Sequence, residues 1–385
     1  MLPPTMLKLE GKLCGSHADS VLCVSGSKAE AKVASGGENG ELILWDLATQ
    51  STIGKCSGIP GENDVNSVLW AKDSSSLLYA SSGNVIYQYD TRDLSTPASQ
   101  LQVNEEEINQ IDINAAGNHL ASCDDSGQVK IVDLQGQRVL KTLRKHSNIC
   151  AAVKFSTHNA AHVLTGGYDN YMVLWDYMRL KQLSLQNMQD YKAVQNPNAS
   201  YMINPPFVHA IATVNAEKIN IVANGCENGT IQLFESRNRG IEHLITIQGH
   251  TQGVSQVLFM EHPESGQPPF LCSGGNDSTI HLWDVHDICT LEAEKHHMEA
   301  KKSRRAKPRV KSHRKTSAPK SADVASHEPP EETEDETKEA VCTASYSQNH
   351  GHKVNWMDSI RLGDQTHLLV ADETNVITFY KSCVA

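Results

Sequence analysis

The chain has 385 residues, 39% apolar and 5% aromatic, with 21% charged and a formal net charge of −11. That composition is globular, and the excess of acids excludes a body that binds nucleic acid over its whole surface. No run approaches the about 18 uninterrupted apolar residues of a membrane helix, and the first 25 residues lack a basic start followed by an apolar block, so neither membrane spanning nor secretion is expected.

In chain order, residues 6–9 (MLKL) alternate apolar and polar and read as a short strand ahead of any repeat. Six similar segments follow: VASGGENGELILWD (33–46), LLYASSGNVIYQYD (77–90), LASCDDSGQVKIVD (120–133), LTGGYDNYMVLWD (164–176), VANGCENGTIQLFE (222–235) and LCSGGNDSTIHLWD (271–284). Each pairs two apolar runs around Gly, Asn or Asp, which tolerate the left-handed backbone of a tight turn, so each reads as a β-hairpin. Their closing acids, Asp46, Asp90, Asp133, Asp176, Glu235 and Asp284, are 44, 43, 43, 59 and 49 residues apart. A period near 43 matches the about 40–45 residues of one four-stranded propeller blade. A seventh unit, residues 354–380, ends at Tyr380 without the acid. The expected fold is therefore all-β, a seven-bladed propeller. A propeller must close its ring or leave an unpaired strand edge, so residues 6–9 are expected to supply the outermost strand of the last blade.

Two stretches interrupt the period. Residues 180–204 are polar and read as a surface loop between blades four and five. Residues 287–345 are expected to form a disordered insertion between blades six and seven, leaving 7–286 for six blades and 346–385 for the seventh. Within the insertion, residues 301–320 carry ten Lys or Arg and no acid, and 323–339 carry eight acids against Lys338 alone. Such blocks, almost without large apolar residues, cannot offset chain entropy by burial. The basic half, with Lys301, Lys302, Arg304 and Arg305, is a candidate import signal, consistent with a nuclear and cytoplasmic protein. No aromatic residue is interleaved for base stacking, so nucleic acid is not an expected partner.

Three segments share a further set of residues: His17, Ser35, Asn39 and Trp45; His146, Thr165, Asp169 and Trp175; His250, Ser273, Asp277 and Trp283. With their closing Trp-Asp pairs these segments resemble WD-repeat propellers. The resemblance implies a hydrogen-bond chain from the turn acid through His and the hydroxyl to the indole N–H, which satisfies buried polar groups and pins the strands of a blade. The set decays elsewhere: Val132, Phe234 and Tyr380 take the Trp position, and Ser126 and Asn228 the turn-acid position. Because these His, with His350, hold fixed places in a repeat, they read as structural rather than catalytic or metal-binding.

The ten Cys are scattered through apolar runs without a CxxC pair, and His296 and His297 have no partner pair, so no disulfide framework, zinc site or other cofactor is expected. No phosphate-binding glycine loop, HExxH or GxSxG motif occurs; GGENGE (36–41) sits at a hairpin turn rather than before a helix. The expected protein is a non-catalytic scaffold, monomeric within a complex, with protein partners.

One turn carries more. Tyr89, Asp90 and Arg92 follow an aromatic-Asp-x-Arg pattern similar to that by which WD-repeat receptors dock on the damaged-DNA-binding adaptor of cullin-four RING ubiquitin ligases. Glu235 and Arg237 form a weaker version, and Ala48, Met178 and His286 stand at the Arg offset in blades one, four and six. The stretches VNEEEINQ (103–110), DDSGQVKIVDL (124–134), RKHSNIC (144–150) and GHTQGVSQV (249–257) resemble, in order, one branch of the WD-repeat family proposed to serve that ligase. The resemblance implies a substrate receptor docked through Arg92, with an unknown substrate. The alternative is a reader of peptides or histone tails unconnected to ubiquitination, which would need acids such as Glu105, Glu106 and Glu107 to converge on one face.

Overall fold

A computed structural model describes residues 5–56, 59, 63–72, 74–191, 204–216, 219–262, 269–285, 288, 342 and 344–384. They form seven four-stranded antiparallel sheets. Each inner strand packs against the inner strands of its two neighbours, and the seventh meets the first, so the sheets stand as blades around a closed ring.

The sequence periodicity survives as burial. Third strands such as Leu42–Asp46 and Tyr171–Asp176 are buried along nearly their whole length, because a blade is covered on both faces by its neighbours. Outer strands such as Arg138–Arg144 and Lys181–Asn187 are mostly exposed or half-buried. Apolar clusters accordingly fill the gaps between successive sheets. One packs Val65, Trp70, Tyr87 and Tyr89 of blade two against Leu42 and Leu44 of blade one.

Two bulges repeat around the ring. In all seven blades the register slips at the start of the inner strand, from Val21/Cys23 in the first to Val354/Trp356 in the last. In six blades a second slip sits where the third strand meets the outer one, at Leu44/Trp45, Ile131/Val132, Leu174/Trp175, Leu233/Phe234, Leu282/Trp283 and Phe379/Tyr380. A bulge adds twist and re-aims the side chain beside it, and here that side chain is the indole or its replacement.

The ring closes through the N-terminus. Thr5–Leu13 pairs antiparallel with Ile377–Val384 as the outer strand of the seventh blade, with Leu7 opposite Ser382 and Leu13 opposite Ile377. The strand is longer than the expected 6–9, and buried Leu7 and Leu13 anchor its two halves.

Two expected boundaries move. Ala344–Asn349 pairs with Thr279–Trp283 as the outer strand of the sixth blade. The long connection therefore falls inside blade six, between its third and outer strands, and not between blades six and seven; blade seven begins at Val354. Likewise Lys181–Asn187, expected as loop, is the outer strand of blade four and is followed by a short 3-10 turn, Met188–Asp190. Both shifts have one cause. The sequence repeat ends at its Trp-Asp pair, whereas the sheet goes on to an outer strand whose half-exposed faces need no apolar alternation. Residues 192–203 and 289–341, with Lys301, Lys302, Arg304 and Arg305, lie outside the described residues.

Candidate partner-docking face

Antiparallel order gives the disc two distinct faces. One carries the turns from inner to second strand and from third to outer strand; the other carries the turns from second to third strand and the entries into each blade. The hydrogen-bond chains lie at the second face and the Asp-Arg turns at the first.

In blade four the Trp175 Nε1–H donates to Thr165 Oγ1 at 3.1 Å, the Thr165 hydroxyl meets His146 Nε2 at 2.8 Å, and His146 Nδ1 meets Asp169 Oδ1 at 2.9 Å. Blade six repeats it through Trp283, Ser273, His250 and Asp277 at 2.9, 2.8 and 2.9 Å. The indole can only donate, so each hydroxyl accepts from it and donates to the imidazole, and the imidazole donates to the carboxylate. Burial opposes ionisation of Asp169 and Asp277. The His, backbone N–H and, at Asp277, Thr279 hydroxyl donors outweigh it and hold both carboxyls below the usual range.

Blade one departs from the expected set. Trp45 donates to Ser35 at 2.8 Å and Ser35 meets His17 Nε2 at 2.7 Å, but His17 Nδ1 meets Glu41 Oε2 at 3.0 Å, not Asn39. Asn39 has φ +59 in the turn and turns outward, its Nδ2–H donating to Asp19 Oδ2 at 2.9 Å. The neutral amide thus leaves the His without an anion. Glu41, two residues on with a longer side chain, supplies it and accepts from the Ala18 N–H as well, as Asp169 does from Ser147.

Sequence reading missed Asn104 and Asp124 in blade three and Asp372 in blade seven. Blade three uses Asn104 for His: the Ser122 hydroxyl donates to Asn104 Oδ1 at 2.7 Å and Asn104 Nδ2–H donates to Asp124 Oδ2 at 2.8 Å. Ser126 donates to the same Asp124 and is not itself the acceptor. In blade seven His350 joins Asp372 and the Tyr380 hydroxyl, each at 2.8 Å. In blade five Asn224 Nδ2–H reaches only Met188 Sδ at 3.6 Å, so the chain has lapsed there.

On the opposite face, Asp90 closes the third-to-outer turn of blade two. Its Oδ1 accepts from the Arg92 backbone N–H at 3.0 Å and from Arg92 Nε–H at 2.8 Å, while Arg92 Nη2 bonds Asp90 Oδ2. These bonds pull the Asp90 carboxyl down to about 2. The Arg92 side chain remains 79% exposed, so one edge of its guanidinium is spent on Asp90 and the rest faces solvent. The turn joins the two outermost strands, so Arg92 stands toward the periphery of this face.

Tyr89 does not face a partner. It is fully buried and takes the place of the indole, with the Cys56 Sγ–H donating to its hydroxyl at 3.5 Å and Ala80 where other blades have Ser or Thr. Burial pushes its hydroxyl far above the ordinary tyrosine range. Tyr89 therefore positions the turn rather than contacting anything beyond it. In blade five Arg237 is held between Glu235 and Glu242, both at 2.8 Å, and its side chain is 43% exposed. Arg179 was missed because it stands three residues after Asp176 rather than two. Asp176 Oδ1 accepts its backbone N–H at 3.0 Å, its Nη1 meets Oδ2 at 3.1 Å, and it is 81% exposed.

Asp19, Glu38, Asp64, Glu105, Glu106 and Glu107 stand in loops of the face opposite Arg92, where Asn66 Nδ2–H donates to Glu107 at 2.7 Å. Among the described residues no cluster of His, Cys, Asp and Glu could hold a metal ion, and no helix is long and apolar enough to cross a membrane.

Comparison with known proteins agrees with this geometry. The pattern described as WD domain, G-beta repeat (WD40) matches residues 8–46, 95–133, 137–176 and 241–284. The WD repeat-containing protein 53 homolog of Dictyostelium discoideum is 30% identical over 297 residues, covering 72% of this chain and 78% of that protein. E3 ubiquitin-protein ligase COP1 of Arabidopsis thaliana is 26% identical over 189 residues, 48% of this chain and 24% of the ligase. The U5 small nuclear ribonucleoprotein 40 kDa protein of Dictyostelium discoideum is 23% identical over 198 residues, 51% and 49% of the two chains. The matched repeats include blade three, whose Asn104 and Asp124 keep the polar chain without His or Trp. Seven closed blades, the recurring polar chains and a relative similar over most of both lengths place the chain in the WD40 repeat family.

Proposed function

We propose that this WD-repeat interaction scaffold is a substrate receptor that docks on the damaged-DNA-binding adaptor of a cullin-four RING ubiquitin ligase, without chemistry of its own. The observation that carries the reading is Arg92, exposed and pre-aimed by Asp90 at the periphery of one face. A guanidinium already held in place loses little rotamer freedom on binding, and its free N–H edge matches a partner's carbonyls or carboxylates. The Arabidopsis relative, named as a ubiquitin ligase, gives the reading further support.

The opposite, acidic face is then free to present a substrate. It also favours the second reading, a scaffold that takes basic peptides there with no ligase involved. Either reading puts the protein at work in the nucleus and cytoplasm.

Titration of purified adaptor against the intact protein and Arg92→Ala separates the two readings. Loss of an interface anchor of this kind weakens binding by about 30-fold. Unchanged affinity, in a variant that melts like the parent, removes the ligase reading and leaves the acidic face.

A further inference from the structure

A cavity of about 1030 Å³ opens between blades four and five on the Arg92 face. Three turns build it: the inner-to-second turn of blade four with Asn159, the third-to-outer turn of blade four with Met178 and Arg179, and the third-to-outer turn of blade five with Arg239. His158 Nε2 meets Asn238 Oδ1 at 3.1 Å and ties the two blades at its edge.

The lining has a definite chemical character. Arg179, Lys181 and Arg239 are cations, and the one acid, Asp176, is already bonded to Arg179. Among the described residues neither Lys181 nor Arg239 has an ion-pair partner. Beside these charges Met178 is about half exposed, at 48%, and Leu183 is half-buried in the wall. His162 also lines the cavity. It is 3% exposed, and its Nδ1 has no hydrogen-bond partner although Nε2 meets the Asn159 amide at 3.2 Å. Two unpaired cations, an apolar rim and an unsatisfied buried polar atom together describe a surface that lacks its complement.

We propose that this cavity docks a short acidic peptide segment of a protein partner, an apolar side chain seating against Met178 and Leu183 while neighbouring carboxylates meet Lys181 and Arg239. Charge complementarity selects this occupant: a basic segment would meet three cations, and an uncharged one would leave two of them unanswered. The site does not depend on the ligase reading, because Arg92 lies two blades away and has no part in it.

The test uses a fluorescein-labelled synthetic peptide of two leucines flanked by four glutamates, with a control in which lysines replace the glutamates, and reads anisotropy on the intact protein. The acidic peptide should bind, the lysine peptide should not, and Lys181→Glu with Arg239→Glu should weaken binding at least about tenfold, as should Met178→Asp alone, at unchanged melting temperature. Raising salt from 0.05 to 0.3 M should weaken it further, as expected for exposed charges. Absence of binding at 1 mM peptide, or equal binding by the charge-reversed protein, overturns the proposal. So does binding that appears only once residues 323–339 are deleted, since the occupant would then be the chain's own acidic stretch, or binding that appears only when the protein is diluted until it is monomeric, since the occupant would then be a second copy of the chain.

Discussion

Blades six and two meet the same structural demand in opposite ways. Each must hold an aromatic residue at the end of its third strand between neighbouring sheets. Blade six uses Trp283 and answers its N–H through Ser273, His250 and Asp277, a chain in which every member depends on the next. Blade two uses Tyr89, drops the hydroxyl to Ala80 and the His to Cys56, and relies on apolar packing. A polar chain of this sort fixes geometry but is costly to break, because a lost member leaves buried donors and acceptors unpaired. The apolar blade gives up that rigidity and is robust to single changes, and its outer turn is the one that exposes an oriented Arg.

The severest break lies outside both blades. Deleting residues 1–10 removes most of the strand that closes the ring and exposes an edge. At about 1 kcal/mol per lost hydrogen bond, the loss is about 5 kcal/mol, which lowers the melting temperature by roughly 10 °C in a scanning-calorimetry trace.

Ser273→Ala comes next, because it strands both the Trp283 N–H and His250 Nε2 in the core; about 3 kcal/mol of stability is expected to disappear in denaturant unfolding. The matched change in blade two, Tyr89→Phe, removes only a 3.5 Å thiol contact and should cost less than about 1 kcal/mol. Equal losses would show that the two blades are not built on different principles.

Acid sharpens the contrast. His281, at 4.6 Å from His250 in blade six, is held down to about 4, chiefly by burial. A histidine whose pKa is lowered by folding supports the fold above its unfolded value near 6.5 and loses that support as pH falls toward 4. Asp277, lowered as well, adds its own loss only below the unfolded carboxylate range near 4. Blade two has no histidine between Val65 and Gln102. Amide exchange should therefore speed up in blade six between pH 6.5 and 4 while blade two keeps its protection, and His281→Gln should flatten the response.

The smallest effect on the fold belongs to Arg92→Ala, which should shift the melting temperature by less than about 1 °C, since a pair this exposed contributes little to stability. A large shift would make the Asp90–Arg92 pair a structural clamp and not a presented side chain.

The blade count and the closing strand were legible because buried third strands must repeat their apolar alternation with the period of the blade. Outer strands were not, and the displaced boundaries at residues 181 and 344 follow from their half-exposure. The polar chains could be read where Trp and His recur. They were hidden at Glu41, Asn104 and Asp124, where another residue type reaches the same point from a different backbone position. Tyr89 was misread for a related reason: proximity to Asp90 and Arg92 in sequence does not reveal that one side chain of the three turns inward. The cavity between blades four and five could not have been found from the repeat at all, because its walls come from turns that vary between blades.

The account rests on Arg92 and its turn meeting a partner, and amide hydrogen exchange of the intact protein with and without purified adaptor tests that most directly. Slower exchange across residues 91–98, with loops 104–107 of the opposite face unchanged, is the result expected. Protection confined to 104–107, or none on either face at saturating adaptor, would contradict it.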